Sequence, residues 1–251
     1  MKRVIIIGNW KMNHTIKEAK EFATIFDEYA KKVSNKDFII GVAPSFLSLE
    51  SVKNIATSFV VSAQNVYFEP KGAFTGEVAI NMLQEIGINY SLVGHSERRT
   101  YFNETNATCN KKLVALFANN FTPIYCVGET LDQYESGQTK DVIFAQLKEG
   151  LANISKEDVK KMVIAYEPVW SIGTGKNASK EIASDVCHFI RETVKGLYDE
   201  ETSNSVLIQY GGSVKEENVK EYMESEDING VLVGGASLDA QKFINLISKV
   251  A

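Results

Sequence analysis

Glu167 stands where an apolar run is made to stop. Met162–Tyr166 reads as a short strand, Glu167 follows it, and Pro168 cannot donate to a further rung of a sheet. The chain then passes through an aromatic-apolar stretch, Pro168, Val169, Trp170, Ser171 and Ile172, into two glycines, Gly173 and Gly175, before Lys176. Glycines at the tip of such a turn suit a flap that closes over a site. A lone carboxylate beneath a flap is placed to take a proton from a bound molecule. A glutamate in a solvated turn would have the same local sequence, so the remaining residues decide between the two.

His95 is one of three histidines and follows the apolar run Tyr90–Val93, with Ser96 and Glu97 opening a helical segment. A helix N-terminus beside the ring disfavours the imidazolium, which makes His95 a neutral hydrogen-bond donor toward a carbonyl or enolate oxygen. A buried histidine with a purely structural partner is the alternative. Lys11 lies two residues beyond Asn9, where the first strand runs out, and is a cation for an anionic substrate, with Asn9 orienting it. Gly211-Gly212-Ser213 and Gly234-Gly235 bring bare backbone N–H groups to helix starts late in the chain, a means of holding phosphate without formal charge. His14 and His188 fall in expected helices, so no cluster with metal-ligand spacing is present and no metal is expected.

These residues need a frame that gathers strand ends. Expected strands are Val4–Ile7, Phe38–Ala43, Phe59–Ala63, Tyr90–Val93, Thr122–Val127, Met162–Tyr166, Val206–Tyr210 and Gly230–Val233. Several are apolar throughout, as parallel strands covered on both faces should be. Amphipathic segments alternate with them: Thr15–Lys32, Ser45–Ile55, Ala79–Ile86, Thr105–Asn119, Lys140–Ile154, Ser179–Leu197, Val214–Met223 and Asp239–Ser248. Strand ends recur about every 32 residues, close to one right-handed βα unit. Eight such units predict closure into a (β/α)8 barrel rather than an open doubly wound sheet. Such a barrel gathers its chemistry at the C-terminal rim of the strands. No linker composition interrupts the chain, so residues 1–251 are expected to form a single catalytic domain, and Gln64–Glu77 a protruding loop.

Composition narrows the function. The chain of 251 residues carries a net charge of −5, so no global basic field attracts nucleic acid or anionic lipid. The longest unbroken apolar stretch, Leu113–Ala118, falls far short of the roughly 20 residues that span a bilayer. The basic-then-apolar start, Met1–Gly8, is too short for a signal segment and reads as a first strand. Cys109, Cys126 and Cys187 are widely spaced and odd in number, which predicts reduced thiols and a cytoplasmic location.

With these residues in view, the chain resembles the triosephosphate isomerase family over essentially its whole length. The matching stretches are Gly8–Asn13, Ala63–Asn65, Gly72–Glu77, Gly94–Arg99, Tyr166–Trp170, Ile172–Lys176, Tyr210–Ser213 and Val233–Gly235. The resemblance implies a single-domain TIM barrel that interconverts dihydroxyacetone phosphate and D-glyceraldehyde 3-phosphate in glycolysis and gluconeogenesis. It implies Glu167 as base, His95 as electrophile, Lys11 as cation and Asn9 as its support, with Glu97 matching a family acid. A plain helix N-terminal role for Glu97 stays open. It further implies phosphate binding by Gly173, Ser213, Gly234 and Gly235. The lid is then Pro168–Ile172 with Thr174, Gly175 and Lys176, latched by Tyr210 and Ser213. Met12, Phe74 and Thr75 correspond to a homodimer interface. Ser171 and Asn177 depart from the residues usual there, alanine and threonine or valine.

The implied reaction moves a proton between adjacent carbons through an enediolate and needs no cofactor. Gly173-Thr174-Gly175 lacks the third glycine of a dinucleotide fingerprint. Two other readings keep the barrel: an enzyme for another phosphosugar or an indole-type substrate, and an inactive phospholigand-binding dimer. Neither requires Asn9, Lys11, His95 and Glu167 together.

Overall fold

Eight short runs of mostly β-branched and aromatic residues pair side by side in a computed structural model that describes residues 2–172 and 178–251. The strands are β1 (Val4–Asn9), β2 (Phe38–Ala43), β3 (Val60–Ala63), β4 (Tyr90–Val93), β5 (Thr122–Val127), β6 (Val163–Tyr166), β7 (Leu207–Tyr210) and β8 (Gly230–Val233). Each pairs in parallel with the next, and β8 returns to β1, which closes the barrel. The expected architecture is therefore present, and the strand bounds differ from expectation by at most two residues.

Among the described residues the helices outnumber the expected eight. They are α1 (Ile16–Val33), α2 (Phe46–Lys53), α3 (Ile80–Glu85), α4 (Ser96–Tyr101), α5 (Asn106–Ala118), α6 (Leu131–Glu135), α7 (Thr139–Gly150), α8 (Lys156–Val159), α9 (Lys180–Leu197), α10 (Glu200–Ser205), α11 (Val219–Met223) and α12 (Ala240–Ser248). Helix α4 starts at Ser96, where a helical segment is expected to open, and the unexpected α6, α8 and α10 are one or two turns long, too short to establish an amphipathic period. Their caps announce them instead: Thr130, Ser155 and Asp199 each accept a hydrogen bond from a first-turn N–H. The segment expected as Val214–Met223 begins only at Val219. His14 is not helical: it precedes α1 with φ +66, its ring 4.6 Å from that of Trp10.

Two cores fix the frame. Alternate strand residues, among them Ile5, Ile7, Leu92, Ile124, Val163 and Leu207, fill the barrel. Their neighbours, such as Ile6, Val61, Tyr125 and Ile208, face the helices. In α1 the buried positions Ala19, Phe22, Ala23, Phe26 and Ala30 form one helical stripe, and Phe26 stacks 5.3 Å from Phe243 of α12. Helix α1 starts at a reciprocal cap between Thr15 and Glu18.

Barrel closure requires one close backbone approach. A methyl group added at Gly230 would lie 1.7 Å from the Ile5 carbonyl oxygen. Gly230→Ala therefore forces β8 from β1 and is expected to lower the unfolding free energy by about 1–3 kcal/mol or more. Urea unfolding followed by far-UV circular dichroism measures this, and a wild-type midpoint would contradict it.

Candidate active site

All of the expected chemistry-bearing residues within the described chain reach one rim. A cavity of about 630 Å³ at the C-terminal ends of the strands is lined by Asn9, Lys11, His95, Glu167, Ser213, Gly234 and Gly235, with Ile172 beside them. They come from the ends of β1, β4, β6, β7 and β8, far apart in sequence and adjacent only because the sheet closes.

Glu167 is 2% exposed. Its N–H continues the β5–β6 ladder to the Val127 carbonyl (2.8 Å), which aims the side chain across the rim. The carboxylate accepts from Ser96 N–H at Oε2 (3.0 Å) and from His95 Nε2 at Oε1 (2.9 Å). Burial alone would raise its pKa. The His95 ring, the Ser96 N–H and the Lys11 ammonium outweigh burial and hold the carboxyl below its ordinary range. Gly128 and Gly211 allow this placement: an added methyl would lie 1.7 Å from the Glu167 carbonyl oxygen at Gly128 and 2.9 Å from its Cγ at Gly211.

His95 caps the N-terminus of α4, and its Nδ1 accepts from Glu97 N–H (3.2 Å). An Nδ1 that accepts carries no proton, so Nε2 bears the hydrogen and donates it. Burial works against the imidazolium, and the adjacent Glu167 carboxylate reverses this, so the pKa rises while the two groups touch.

Lys11 is held at φ +53, its N–H on Asn9 Oδ1 (3.0 Å) and its carbonyl on Gln64 Nε2 (2.8 Å). Its ammonium lies 2.6 Å from Glu97 Oε1. Glu97 is thus both the acid of the first turn of α4 and the partner of Lys11. Gly234 precedes the short 3-10 turn Gly235–Ser237, and an added methyl there would lie 3.6 Å from Lys11 Cε. The late glycines and Lys11 therefore share one end of the cavity.

The lid stretch is described as far as Ile172. Val169–Ser171 form a 3-10 turn, Trp170 Nε1 donates to Glu129 Oε1 (2.8 Å), and the indole stacks on Tyr134 at 4.3 Å. Gly173, Thr174, Gly175, Lys176 and Asn177 lie outside the described residues. Beyond them, the Ala178 carbonyl accepts from Tyr222 OH (2.7 Å), and the Tyr222 ring lies 4.3 Å from that of Tyr210. Tyr210 is fully buried, and the hydroxyl of Ser171 approaches it over Gly212. Met12, next to Lys11 in the chain, is 95% exposed, and Phe74 and Thr75 are exposed in the 64–77 loop.

The family model described as triosephosphate isomerase matches residues 4–250. The chain is 49% identical over 250 residues to the triosephosphate isomerase of Clostridium tetani, covering 99% of this chain and 97% of that one. It is 48% identical to that of Clostridium perfringens (99% and 100% covered) and 47% to that of Pediococcus pentosaceus (99% of each). The chain belongs to the triosephosphate isomerase family. Members of this family are the standard example of a glutamate base beside a neutral histidine at a helix N-terminus.

Several residues around this site escaped the sequence reading. Ser96 contributes only its backbone, which no side-chain pattern reveals. Glu129 lies two residues beyond β5, as Lys11 lies two beyond β1, and is completely buried, so a strand-end signal extended by one residue would have found it. Burial raises its pKa against the hydrogen bonds from Trp170 and Tyr166. Gln64 and Tyr222 act on backbone carbonyls, and nothing in their spacing marks them. Among the described residues no three His, Cys, Asp or Glu side chains form a metal-binding group, and no helix is long and apolar enough to cross a membrane.

The depressed pKa of Glu167 has a consequence for stability. A carboxyl whose folded pKa lies below its unfolded value stabilises the fold above the ordinary carboxylate range, and this is lost as pH falls through the folded value. In Glu167→Gln the loss of unfolding free energy between about pH 7 and about pH 3 should be smaller than in the wild type. Urea titrations at both pH values give the comparison, and identical losses would refute the assignment.

Proposed function

We infer that this chain interconverts dihydroxyacetone phosphate and D-glyceraldehyde 3-phosphate with Glu167 as the single base. The observation that carries the reading is one buried carboxylate and one imidazole N–H, 2.9 Å apart, opening on the same cavity as a lysine ammonium. Glu167 leaves Ser96 and His95 to reach the substrate, takes a proton from the hydroxyl-bearing carbon and returns it to the neighbouring carbonyl carbon, while the hydroxyl proton passes to the former carbonyl oxygen beside His95 Nε2. Between these steps an enediolate forms. His95 Nε2–H and Lys11 face its developing oxyanion, where one well-placed donor contributes roughly 3 kcal/mol. Removing Glu167 from the imidazole leaves burial and the helix N-terminus acting on the ring, and both favour its neutral form.

The phosphate is held by backbone N–H groups of Gly173, Gly234 and Gly235 and by Ser213. Its binding energy closes the lid, Pro168–Lys176, which excludes water and keeps the enediolate from losing phosphate. Tyr210 and Ser213 latch the lid. Asn9 and Glu97 hold Lys11 in place. Proton transfer between adjacent carbons balances without an electron acceptor, so the reading includes no cofactor.

The same reading makes the chain a single catalytic domain that works in the cytoplasm as a homodimer, with Met12, Phe74 and Thr75 at the subunit contact and no nucleic-acid or membrane partner. Its support is the exposure of two large apolar side chains, Met12 and Phe74, in a chain of net charge −5.

A coupled assay with dihydroxyacetone phosphate tests the activity directly, and absence of turnover would refute it. Glu167→Asp shortens the reach of the base and should lower kcat by about 10²- to 10⁴-fold while KM changes little. Near-normal turnover would remove Glu167 as the base. Sedimentation at micromolar concentration should show a dimer, and a monomer would dispose of the contact assigned to Met12, Phe74 and Thr75.

A further inference from the structure

Two buried or half-buried charged side chains sit behind His95 without lining the cavity: Arg99 of α4 and Glu104, between α4 and α5. Both grip Gly94, the residue before His95. The Gly94 N–H donates to Glu104 Oε1 (3.2 Å), and its carbonyl accepts from Arg99 Nε (2.8 Å).

Gly94 has φ +73, a conformation that glycine enters at little cost and can as readily leave. What binds its two polar groups therefore determines whether it stays. The torsions at Gly94 swing everything that follows, beginning with the His95 ring. The gripping side chains are themselves fixed. Arg99 Nη1 donates to Asn106 Oδ1 (2.8 Å) and Nη2 to the Cys126 carbonyl of β5 (3.3 Å). Glu104 is held by Arg98 Nε (2.8 Å) and Lys112 Nζ (2.9 Å). An added methyl at Gly94 would lie 2.9 Å from both Arg99 Nη2 and Cys109 Sγ, so the pocket around it is closed.

We propose that Arg99 and Glu104 are positioning residues for the isomerisation, acting through Gly94 to hold His95 Nε2 on the reacting oxygen. The proposal rests on the role inferred above for His95. The anchors of His95 within α4 fix its ring relative to that helix, and the Gly94 clamp fixes both relative to β4 and β5. Displacement of a catalytic group by about 1 Å can cost about 10²-fold in rate.

Arg99→Gln tests this. The expected result is a fall in kcat of about 10- to 100-fold with KM and inhibition by inorganic phosphate unchanged, because the phosphate site is untouched. Turnover of glyceraldehyde, which lacks the phosphate, should fall by the same factor. The ¹⁵N spectrum of the His95 ring should lose the single pattern of a bare Nδ1 and a protonated Nε2, while Arg99→Lys, which keeps one donor for the Gly94 carbonyl, recovers most of kcat. A folded Arg99→Gln variant with wild-type kcat and ring signals overturns the proposal, as does a kcat loss matched by lost phosphate affinity. If Arg99→Gln does not fold, Asn106→Ala removes the partner of Nη1 and leaves Nε on the Gly94 carbonyl and Nη2 on the Cys126 carbonyl. It should lower kcat several-fold at constant KM, and an unchanged kcat overturns the proposal. His95→Asn measured alongside separates the premises. Full turnover there defeats the role of His95 itself, whereas a slow His95→Asn with a fast, folded Arg99→Gln defeats only the positioning.

Discussion

The site depends on keeping one carboxylate charged inside the protein. An ionised carboxyl removed from water is costly unless hydrogen bonds and opposite charge replace its hydration. Glu167 obtains this from two sources of different kinds. The Ser96 N–H is a fixed backbone dipole at the start of α4, and the His95 Nε2–H is a side chain of the same turn. Both arrive from the end of β4, and the parallel pairing of β4 with β5 and of β5 with β6 brings them to Glu167. The two glycines against Glu167, Gly128 and Gly211, follow from the same requirement: the space is occupied by the acid and its backbone.

This interaction also links the two groups in the proposed reaction. While the carboxylate rests on the imidazole, each shifts the other, lowering the acid and raising the base. Once Glu167 turns to a substrate, the ring keeps the Glu97 N–H at Nδ1, which opposes a second proton. The resting contact therefore preserves the charge of the base, and its loss restores the neutral electrophile. A backbone donor such as Ser96 N–H remains in position throughout, because the ladder of α4 holds it.

Strands, barrel closure and the residues of the rim were legible because each leaves a mark in one dimension. Fully covered strands are apolar throughout, and Glu167, His95 and Lys11 each stand at the end of such a run. The rest depends on contacts without a period. The short helices α6, α8 and α10 are set by single caps and tertiary packing, so an amphipathic pattern missed them. His14 looked helical because it abuts Thr15, yet its φ of +66 places it before the cap. Glu129 was overlooked although it occupies a strand end like the others: its partner, the Trp170 indole, is distant in sequence and apolar in most of its surface. Gln64, Tyr222, Arg99 and Glu104 act through backbone groups of other residues, and neither partner's identity can be read from the chain alone.

Charge distribution explains the choice of donors at the rim. The chain is net negative, and the Lys11 ammonium, which lines the cavity with His95 and Glu167, already pairs with Glu97 at 2.6 Å. If Lys11 were also the principal phosphate ligand, a dianion would have to compete with Glu97 for it. Neutral N–H groups at Gly234 and Gly235 avoid that competition, since they carry partial charge without a counter-ion to displace. Lys11 can then remain directed at the reacting end, where Glu97 limits its motion and Asn9 sets its backbone. In the proposed reading a dianionic ligand is divided between two kinds of electrostatics, fixed dipoles for the charge that stays and a tethered cation for the charge that appears during reaction.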